Sequence, residues 1–144
     1  MSLQQLARLL GFAGLVPFIV FSTGVWTTLP IMQNAHFILI TYAAVILSFM
    51  GAVHWGLAMS GSNTTAKIQL GASVLPALLG WVALLIPMLY GYILLTACFI
   101  VLLMADKIAG SKGLVPDWYL PMRFILTTVV VLCLLIAALT VFVM

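Results

Sequence analysis

The stretch IQLGASVLPALLGWVALLIPMLYGYILLTACFIVLLMA, residues 68–105, decides how many times this chain crosses a membrane. It contains no charged side chain, and it is too long for one span, because about 20 helical residues cross the roughly 30 Å hydrocarbon core. A break is therefore expected within it. Pro87 and Gly91, together with two tyrosines of the kind found at membrane boundaries, predict a tight hairpin at residues 87–92.

The charged residues test this break independently. Five spans place all five basic residues and both aspartates on one side, whereas four spans would place Lys67 and Lys107 in opposite compartments. Because basic residues concentrate in cytoplasmic loops, we predict a cytoplasmic N-terminus and a C-terminus on the opposite side. Aromatic residues agree with this division, with Trp26, Tyr90 and Tyr92 expected at the outer boundary and Trp55, Trp118 and Tyr119 at the inner one.

Composition assigns the whole chain to the bilayer. Of its 144 residues, 66% are hydrophobic and 5% are charged, against roughly 25% charged residues in soluble proteins. The five basic residues form no run, so the net charge of +3 is explained by topology and nucleic-acid binding is not expected.

We therefore predict an all-α integral membrane protein, a compact bundle of five transmembrane helices that forms one membrane domain over residues 1–144. Prolines 17 and 76 are expected to kink the first and third helices, since each removes a backbone hydrogen bond. The approximate spans are residues 5–25, 36–59, 68–88, 90–107 and 121–143.

Ionisable side chains near the cytoplasmic ends of the spans form the main candidate site. His54 lies four or five residues from the cytoplasmic end of the second span. Asp106 lies at the end of the fourth span and Arg123 at the start of the fifth span, at a similar depth in the membrane. Because an Asp side chain is too short to reach far toward water, we expect Asp106 to pair with Arg123, or else with Arg8. His54 is expected to join this pair. The predicted cluster comprises His54, Asp106, Arg123, Trp118, Tyr119 and Arg8, and acts as a structural clamp, a headgroup or quinone site, or a docking site for a partner.

A ridge of small side chains follows one face of the second span. Ala44, Ser48, Ala52 and Gly56 recur every four residues, a spacing that lets a neighbouring helix approach closely. The neighbour can belong to this chain or to another subunit. We expect Leu at position 52 or 56 to be more damaging than Leu47→Ala, because bulk on a packed ridge forces helices apart.

The chain lacks the residue patterns of an enzyme or a metal site. It has two acidic residues, no nucleophile beside a base and no metal-ligand spacing, so we expect neither catalysis nor a bound cofactor. His36 and His54 lie about 27 Å apart along one helix and cannot both ligate one haem. Cys98 and Cys133 lie within apolar runs and are interpreted as packing residues.

Motifs along nearly the whole chain resemble one family, the uncharacterised multi-pass family that includes animal transmembrane protein sixty-nine. The resemblance implies a multi-pass protein of the bacterial inner (cytoplasmic) membrane, in preference to the mitochondrial inner membrane, with no established activity and no catalytic residues to transfer. It falls on five positions of the predicted cluster, namely all except Arg8. The motifs are Gly14-x-x-Pro17-Phe18, Tyr42-x-x-x-Ile46-Leu47-Ser48-Phe49-Met50-Gly51-x-x-His54-Trp55-Gly56, Leu75-Pro76 with Gly80-Trp81, and Asp106 with Pro116-x-Trp118-Tyr119-x-x-x-Arg123-x-x-Leu126-Thr127.

Two functions from different classes remain open. The first is a non-catalytic accessory or assembly component of a membrane protein complex, favoured by small size and by the ridge available for docking to another membrane protein or a second copy. The alternative is a binding protein or transporter for an amphipathic molecule (lipid, quinone or porphyrin) at the cytoplasmic-side cluster. A ridge facing lipid would favour a partner, and a cavity reaching His54 would favour a ligand.

Overall fold

The computed structural model describes residues 1–61 and 64–143, and this part of the chain consists of helices and short connections, without a β-strand. A short 3-10 turn, Pro30–Met32, precedes the third helix. The helices of the described residues are α1 (Leu3–Ala13), α2 (Val16–Gly24), α3 (Ala35–Met59), α4 (Thr64–Ala72), α5 (Leu75–Leu85), α6 (Met88–Ser111) and α7 (Tyr119–Val143).

Five helical segments within the described residues are long and apolar enough to cross a membrane, which confirms the predicted five-helix architecture. The first span combines α1 with α2, and the third combines α4 with α5. The predicted hairpin is also present, since α5 ends at Leu85 and Pro87 is the N-cap of α6. The structural spans are Leu3–Gly24, Pro30–Met59, Thr65–Leu85, Met88–Ser111 and Tyr119–Val143.

Each of the two expected proline kinks begins one helical turn before the proline. Helix α1 ends at Ala13, four residues before Pro17, and α4 ends at Ala72, four residues before Pro76. A proline ring clashes with the carbonyl group four residues earlier and cannot donate a hydrogen bond to it, so the helix is interrupted at that carbonyl. Right-handed helical dihedral angles continue at Gly14 and in the third span at the residue before α5, so both spans bend without being severed.

Close contacts between helix backbones hold the centre of the bundle. A Cβ atom at Gly80 of α5 would lie 3.2 Å from the Ala44 carbonyl oxygen of α3. A Cβ atom at Gly91 of α6 would lie 2.5 Å from the Ala83 carbonyl oxygen of α5. Helix association in lipid depends on such close packing, because burial of apolar surface gives little driving force there.

The predicted ridge on α3 packs inside the chain only along part of its length. Ala44 is buried against α5 and Ser48 is half-buried, but Ala52 and Gly56 are exposed. A Cβ atom at Gly56 would meet no described atom within 4 Å. Among the described residues, therefore, no helix packs against the second half of the ridge.

Gly51, one residue from the ridge, is the tightly packed glycine of this region. Its Cβ atom would lie 2.8 Å from the Ser73 carbonyl oxygen and 3.1 Å from the Pro76 ring, where the third span kinks onto α3. Leu47 is fully buried. The order of damage expected from the sequence is therefore reversed, because Leu47→Ala opens a void in the core whereas Leu at position 56 meets open space.

Side-chain contacts fix the relative directions of three central helices. His36 at the start of α3 contacts Tyr92 near the start of α6 and Thr140 near the end of α7. At the other end of the bundle, Asp106 near the end of α6 contacts His54 near the end of α3 and Arg123 near the start of α7. Helices α3 and α6 therefore run parallel, and α7 runs antiparallel to both.

The basic residues lie at one end of this bundle, the end that contains Arg123. The residue before Arg8 lines a cavity together with Arg123, so Arg8 lies at that end. The residue before Lys67 lines another cavity together with Lys112. Lys107 directly follows Asp106, which forms an ion pair with Arg123. This is the charge separation on which the predicted topology depends.

Candidate functional site

The carboxylate of Asp106 lies at the centre of a buried polar cluster that joins α3, α6 and α7. Its Oδ2 atom accepts a 2.7 Å hydrogen bond from Arg123 Nε, and its Oδ1 atom accepts a 3.0 Å bond from His54 Nε2. The Tyr119 hydroxyl donates a longer, 3.3 Å bond to the same Oδ1 atom. We call His54, Asp106, Tyr119 and Arg123 the charged layer.

Local sequence explains how these side chains come together. Tyr119 and Arg123 are four residues apart on α7 and therefore project from the same helix face. Gly113, with φ of +67°, adopts the left-handed conformation that turns the chain back from α6. Leu120 lies directly against Gly110, where a side chain would collide with it, so α7 starts close beside the end of α6.

Burial makes this pairing necessary. Asp106 is 2% exposed and Arg123 is 4% exposed. An ionised side chain at such a position is costly unless an opposite charge and hydrogen bonds accompany it. The Asp106–Arg123 pair has no net charge, and Arg123 is the partner expected first from the sequence.

The remaining members of the predicted cluster lie at its margin or outside it. Trp118 is half-buried, and its ring packs edge-on against Tyr119 with ring centroids 6.4 Å apart. Arg8 is exposed, and no ion pair joins it to any residue of the described part of the chain. The structure therefore brings four predicted residues into direct contact, places Trp118 beside them and leaves Arg8 apart.

A cavity of about 320 Å³ reaches one side of the charged layer, between α3, the kinked third span and α6. We call it the His54 cavity. His54, Gln69 and Ser73 contribute polar groups to its lining, and the rest is apolar apart from Cys98. Along α6 it extends from position 105 to position 97, about 12 Å at helical rise.

The hydrogen bond to Asp106 determines what His54 can do in this cavity. A carboxylate only accepts hydrogen bonds, so Nε2 carries the proton that it donates to Asp106. The second ring nitrogen, Nδ1, has no hydrogen-bond partner among the described residues. In the neutral ring this nitrogen is an acceptor, suited to a hydroxyl or amine donor of a ligand.

A second cavity, of about 340 Å³, borders the opposite side of the charged layer, and we call it the Arg123 cavity. It lies between the first span, α3, α6 and α7. Tyr119, Arg123 and Thr127 reach it from α7, and aromatic, Met and aliphatic side chains form the rest of its wall with two glycines. Thr127 was not among the predicted site residues, although its spacing of four residues from Arg123 places both on one helix face.

A neutral polar cluster, which we call the neutral layer, joins the same three helices at their other ends. His36 Nδ1 lies 3.0 Å from the Tyr92 hydroxyl, and His36 Nε2 lies 3.2 Å from Thr140 Oγ1. The Tyr92 hydroxyl donates to the His36 carbonyl oxygen at 3.2 Å. Tyr92, assigned to the membrane boundary from the sequence, is instead fully buried, whereas Tyr90 is exposed.

The described residues contain no group of three His, Cys, Asp or Glu side chains that could hold a metal ion. The His54–Asp106 pair has the geometry of a base and its orienting carboxylate. The one thiol in the His54 cavity, Cys98, is displaced by about 12 Å along α6 from Asp106.

Comparison with known proteins gives a family and no activity. The family model described as Protein of unknown function (DUF3429) matches residues 3–139. The chain is 35% identical over 141 residues to Transmembrane protein 69 of Xenopus tropicalis, an alignment covering 87% of this chain and 50% of that protein. The chain thus spans about half the length of this curated relative. No solved structure matches.

Proposed function

This chain belongs to the family described as Protein of unknown function (DUF3429), and from that premise we propose that it is a non-catalytic membrane protein that binds an amphipathic molecule in the His54 cavity. One observation carries the proposal. The His54 ring is held by Asp106 through Nε2 and lines a mainly apolar cavity, and its second nitrogen has no hydrogen-bond partner among the described residues. A polar group at the end of an apolar cleft is the usual construction of a ligand site.

Dimensions and exposure support a ligand that enters from the bilayer. The cavity volume of about 320 Å³ is within the range of small-molecule sites, roughly 300–1,000 Å³. Leu75, Leu79 and Val101 line it and are also exposed on the outer surface of the helices. A lipid or quinone can therefore enter sideways, with its polar end at His54 and Gln69 and its apolar part along α6.

Ligand binding is separable from the clamp that the same side chains provide. The clamp needs the Nε2 bond from His54 to Asp106, whereas the ligand would use the other face of the ring. His54→Gln keeps an amide donor for Asp106 and removes the imidazole. We expect this variant to melt close to the wild type in detergent and to lose the co-purified lipid or quinone.

A cavity-filling pair tests the site without touching the charged layer. Ala97→Trp fills the apolar end of the His54 cavity, and Ile100→Trp adds the same side chain on an exposed face of α6 outside it. Mass spectrometry of extracts from protein purified in mild detergent should show a small molecule retained by the wild type and Ile100→Trp but depleted in Ala97→Trp. Equal retention in all three proteins, or no molecule enriched above the bulk membrane lipids, would refute the proposal.

The second candidate is an accessory or assembly component of a membrane complex, and the exposed half of the ridge favours it. Ala52 and Gly56 present small side chains to the bilayer beside the exposed Trp55 ring. A helix from a membrane protein partner or a second copy could approach closely there. Under this proposal Gly56→Leu lowers the amount of a larger species in native electrophoresis without changing the melting temperature, whereas Val45→Leu, elsewhere on the exposed surface of α3, changes neither. A wild-type protein that migrates only as a monomer would refute it.

The bacterial inner membrane and a cytoplasmic N-terminus complete the proposal. The cytoplasmic N-terminus is supported by the position of all five basic residues at one end of the bundle, the end that holds the charged layer. The bacterial inner membrane is what the family resemblance implies. The His54 cavity would then open to the cytoplasmic leaflet.

A further inference from the structure

Two residues that line the Arg123 cavity each carry a buried polar atom that has no hydrogen-bond partner in the described structure. The two atoms are Arg123 Nη2 and Thr127 Oγ1. Arg123 is 4% exposed and Thr127 is 2% exposed, and both line this cavity. They are one turn apart on the same face of α7, about 6 Å along the helix axis.

The two unpartnered atoms differ in what they require. A threonine hydroxyl in a helix can rotate to donate to the carbonyl oxygen four residues earlier, so Thr127 alone would not indicate a ligand site. The guanidinium group has no such alternative, because all its nitrogens are donors. Arg123 uses Nε for Asp106, which leaves Nη2 as a buried donor without a partner on a residue that lines the cavity.

We infer that the Arg123 cavity is a second ligand site, distinct from the His54 cavity, which holds a bilayer phospholipid by an ester or phosphodiester oxygen. Asp106 already balances the charge of Arg123, so the site needs an oxygen acceptor and not a full negative charge. Such oxygens are present in every phospholipid near the depth at which helix ends and tryptophans such as Trp118 meet the headgroups.

The walls of the cavity suit an acyl chain. Phe18 and Phe99 pack edge to face with ring centroids 6.3 Å apart, and Met50 and Met122 line the same space. Met side chains adapt to irregular apolar shapes. An oxygen at Arg123 and Thr127 would thus continue into a chain lying between the first span, α3 and α6.

Helix α1 forms the least anchored wall of this cavity. None of its residues is buried, although Ala7, Leu10 and Gly11 line the cavity. It joins α2 at the kink near Gly14. A bound phospholipid would fill the space under α1 and slow exchange of its backbone amide hydrogens.

Removal of Arg123 would break the charged layer, so conservative variants are needed to test the site. Arg123→Lys keeps a cation for Asp106 but removes Nη2, and Thr127→Val keeps the shape and removes the hydroxyl. The matched control is Thr96→Val, since Thr96 is also buried with an unpartnered hydroxyl but does not line this cavity. Ala97→Trp, in the His54 cavity, separates this inference from the proposed function.

The experiment titrates delipidated protein in detergent with dioleoyl phosphatidylethanolamine and counts bound lipids by native mass spectrometry. We expect the dissociation constant to rise about fivefold in Thr127→Val and in Arg123→Lys, the loss of one hydrogen bond in each case. The affinity of the Arg123 cavity should stay unchanged in Thr96→Val and in Ala97→Trp, which blocks only the His54 cavity. Lipid should protect α1 from hydrogen exchange only where binding in the Arg123 cavity is retained. Equal affinities in Thr127→Val, Arg123→Lys and Thr96→Val would overturn the inference. Binding of ubiquinone with the same dependence on Thr127, but not of the phospholipid, would also overturn it.

Discussion

The two polar layers join the same three helices at opposite ends and do so by different chemistry. At one end His36 contacts Tyr92 and Thr140, which are neutral side chains. At the other end His54 contacts Asp106, which in turn pairs with Arg123. Each layer thus takes one histidine from α3, one residue from α6 and at least one from α7.

This difference indicates that charge is not needed to fasten these helices. Hydroxyl and imidazole groups suffice at the neutral layer, whereas the charged layer buries an ion pair whose desolvation is costly in a membrane. The charged layer also borders both the His54 cavity and the Arg123 cavity. We therefore propose that ligand binding takes place at this end of the bundle and that the neutral layer has a structural role.

The largest expected effect concerns the membrane side on which each layer lies, because the outcome is all or none. A reporter fused after Gly113, in the connection between α6 and α7, should score as cytoplasmic. A reporter fused after Val143 should score in the opposite compartment, since one further span separates the two positions. Alkaline phosphatase and green fluorescent protein fusions give complementary readouts, and the same compartment for both positions would mean that α7 does not cross the membrane.

The next largest effect follows from removing the charge at the centre of the charged layer. Asp106→Asn leaves Arg123 buried without its counter-ion, and we expect a loss of about 3–5 kcal/mol in the free energy of unfolding. The double variant Asp106→Asn with Arg123→Gln should recover part of this loss, because neither charge is then left alone.

Thermal unfolding in detergent measures this effect. Asp117→Asn is the control, since Asp117 is exposed and lies in the connecting segment just before α7. A drop for Asp117→Asn as large as that for Asp106→Asn would mean that the layer contributes no special stability.

The charged layer could be predicted from the sequence, whereas the neutral layer could not. Seven charged residues in 144 leave few ways to place them in a bilayer, so span number and the Asp106–Arg123 pair follow from charge and depth. His36 and Tyr92 look like ordinary boundary residues, and Thr140 lies in an otherwise apolar run. Nothing in their spacing indicates that three helices bring them together.

Helix rotation is the second feature that the sequence does not determine. Helix α3 is apolar on most of its surface, so its pattern does not show which face meets a neighbour. The spacing of small residues every four positions predicted that the face with Ala52 and Gly56 packs against a neighbouring helix. The tight contact is instead at Gly51. The neighbour there is the kinked third span, whose position depends on Pro76.

A third prediction uses these two glycines to test the region between the layers. Gly51→Leu should cost about 1–3 kcal/mol, because its side chain would collide with the Ser73 carbonyl oxygen and the Pro76 ring. Gly56→Leu should change stability by no more than about 0.5 kcal/mol in the isolated protein. Chemical or thermal unfolding in the same detergent gives both values, and equal losses would show that α3 is rotated from the described position.

The smallest expected effect is at the neutral layer. Tyr92→Phe removes the hydroxyl that contacts the His36 ring and donates to the His36 carbonyl oxygen, and it leaves the buried ring in place. Side-chain hydrogen bonds within membranes contribute on average about 0.6 kcal/mol and at most about 1.7 kcal/mol. We expect a loss in that range, which is smaller than the loss for Asp106→Asn. Tyr90→Phe is the matched control, because Tyr90 is exposed two residues away on the same helix and should show no change.

Ligand retention provides the second readout, and Tyr92→Phe should leave it at the wild-type level while His54→Gln lowers it. If Tyr92→Phe instead released the bound molecule, the neutral layer would also belong to a site, and the division of roles between the two ends would be wrong.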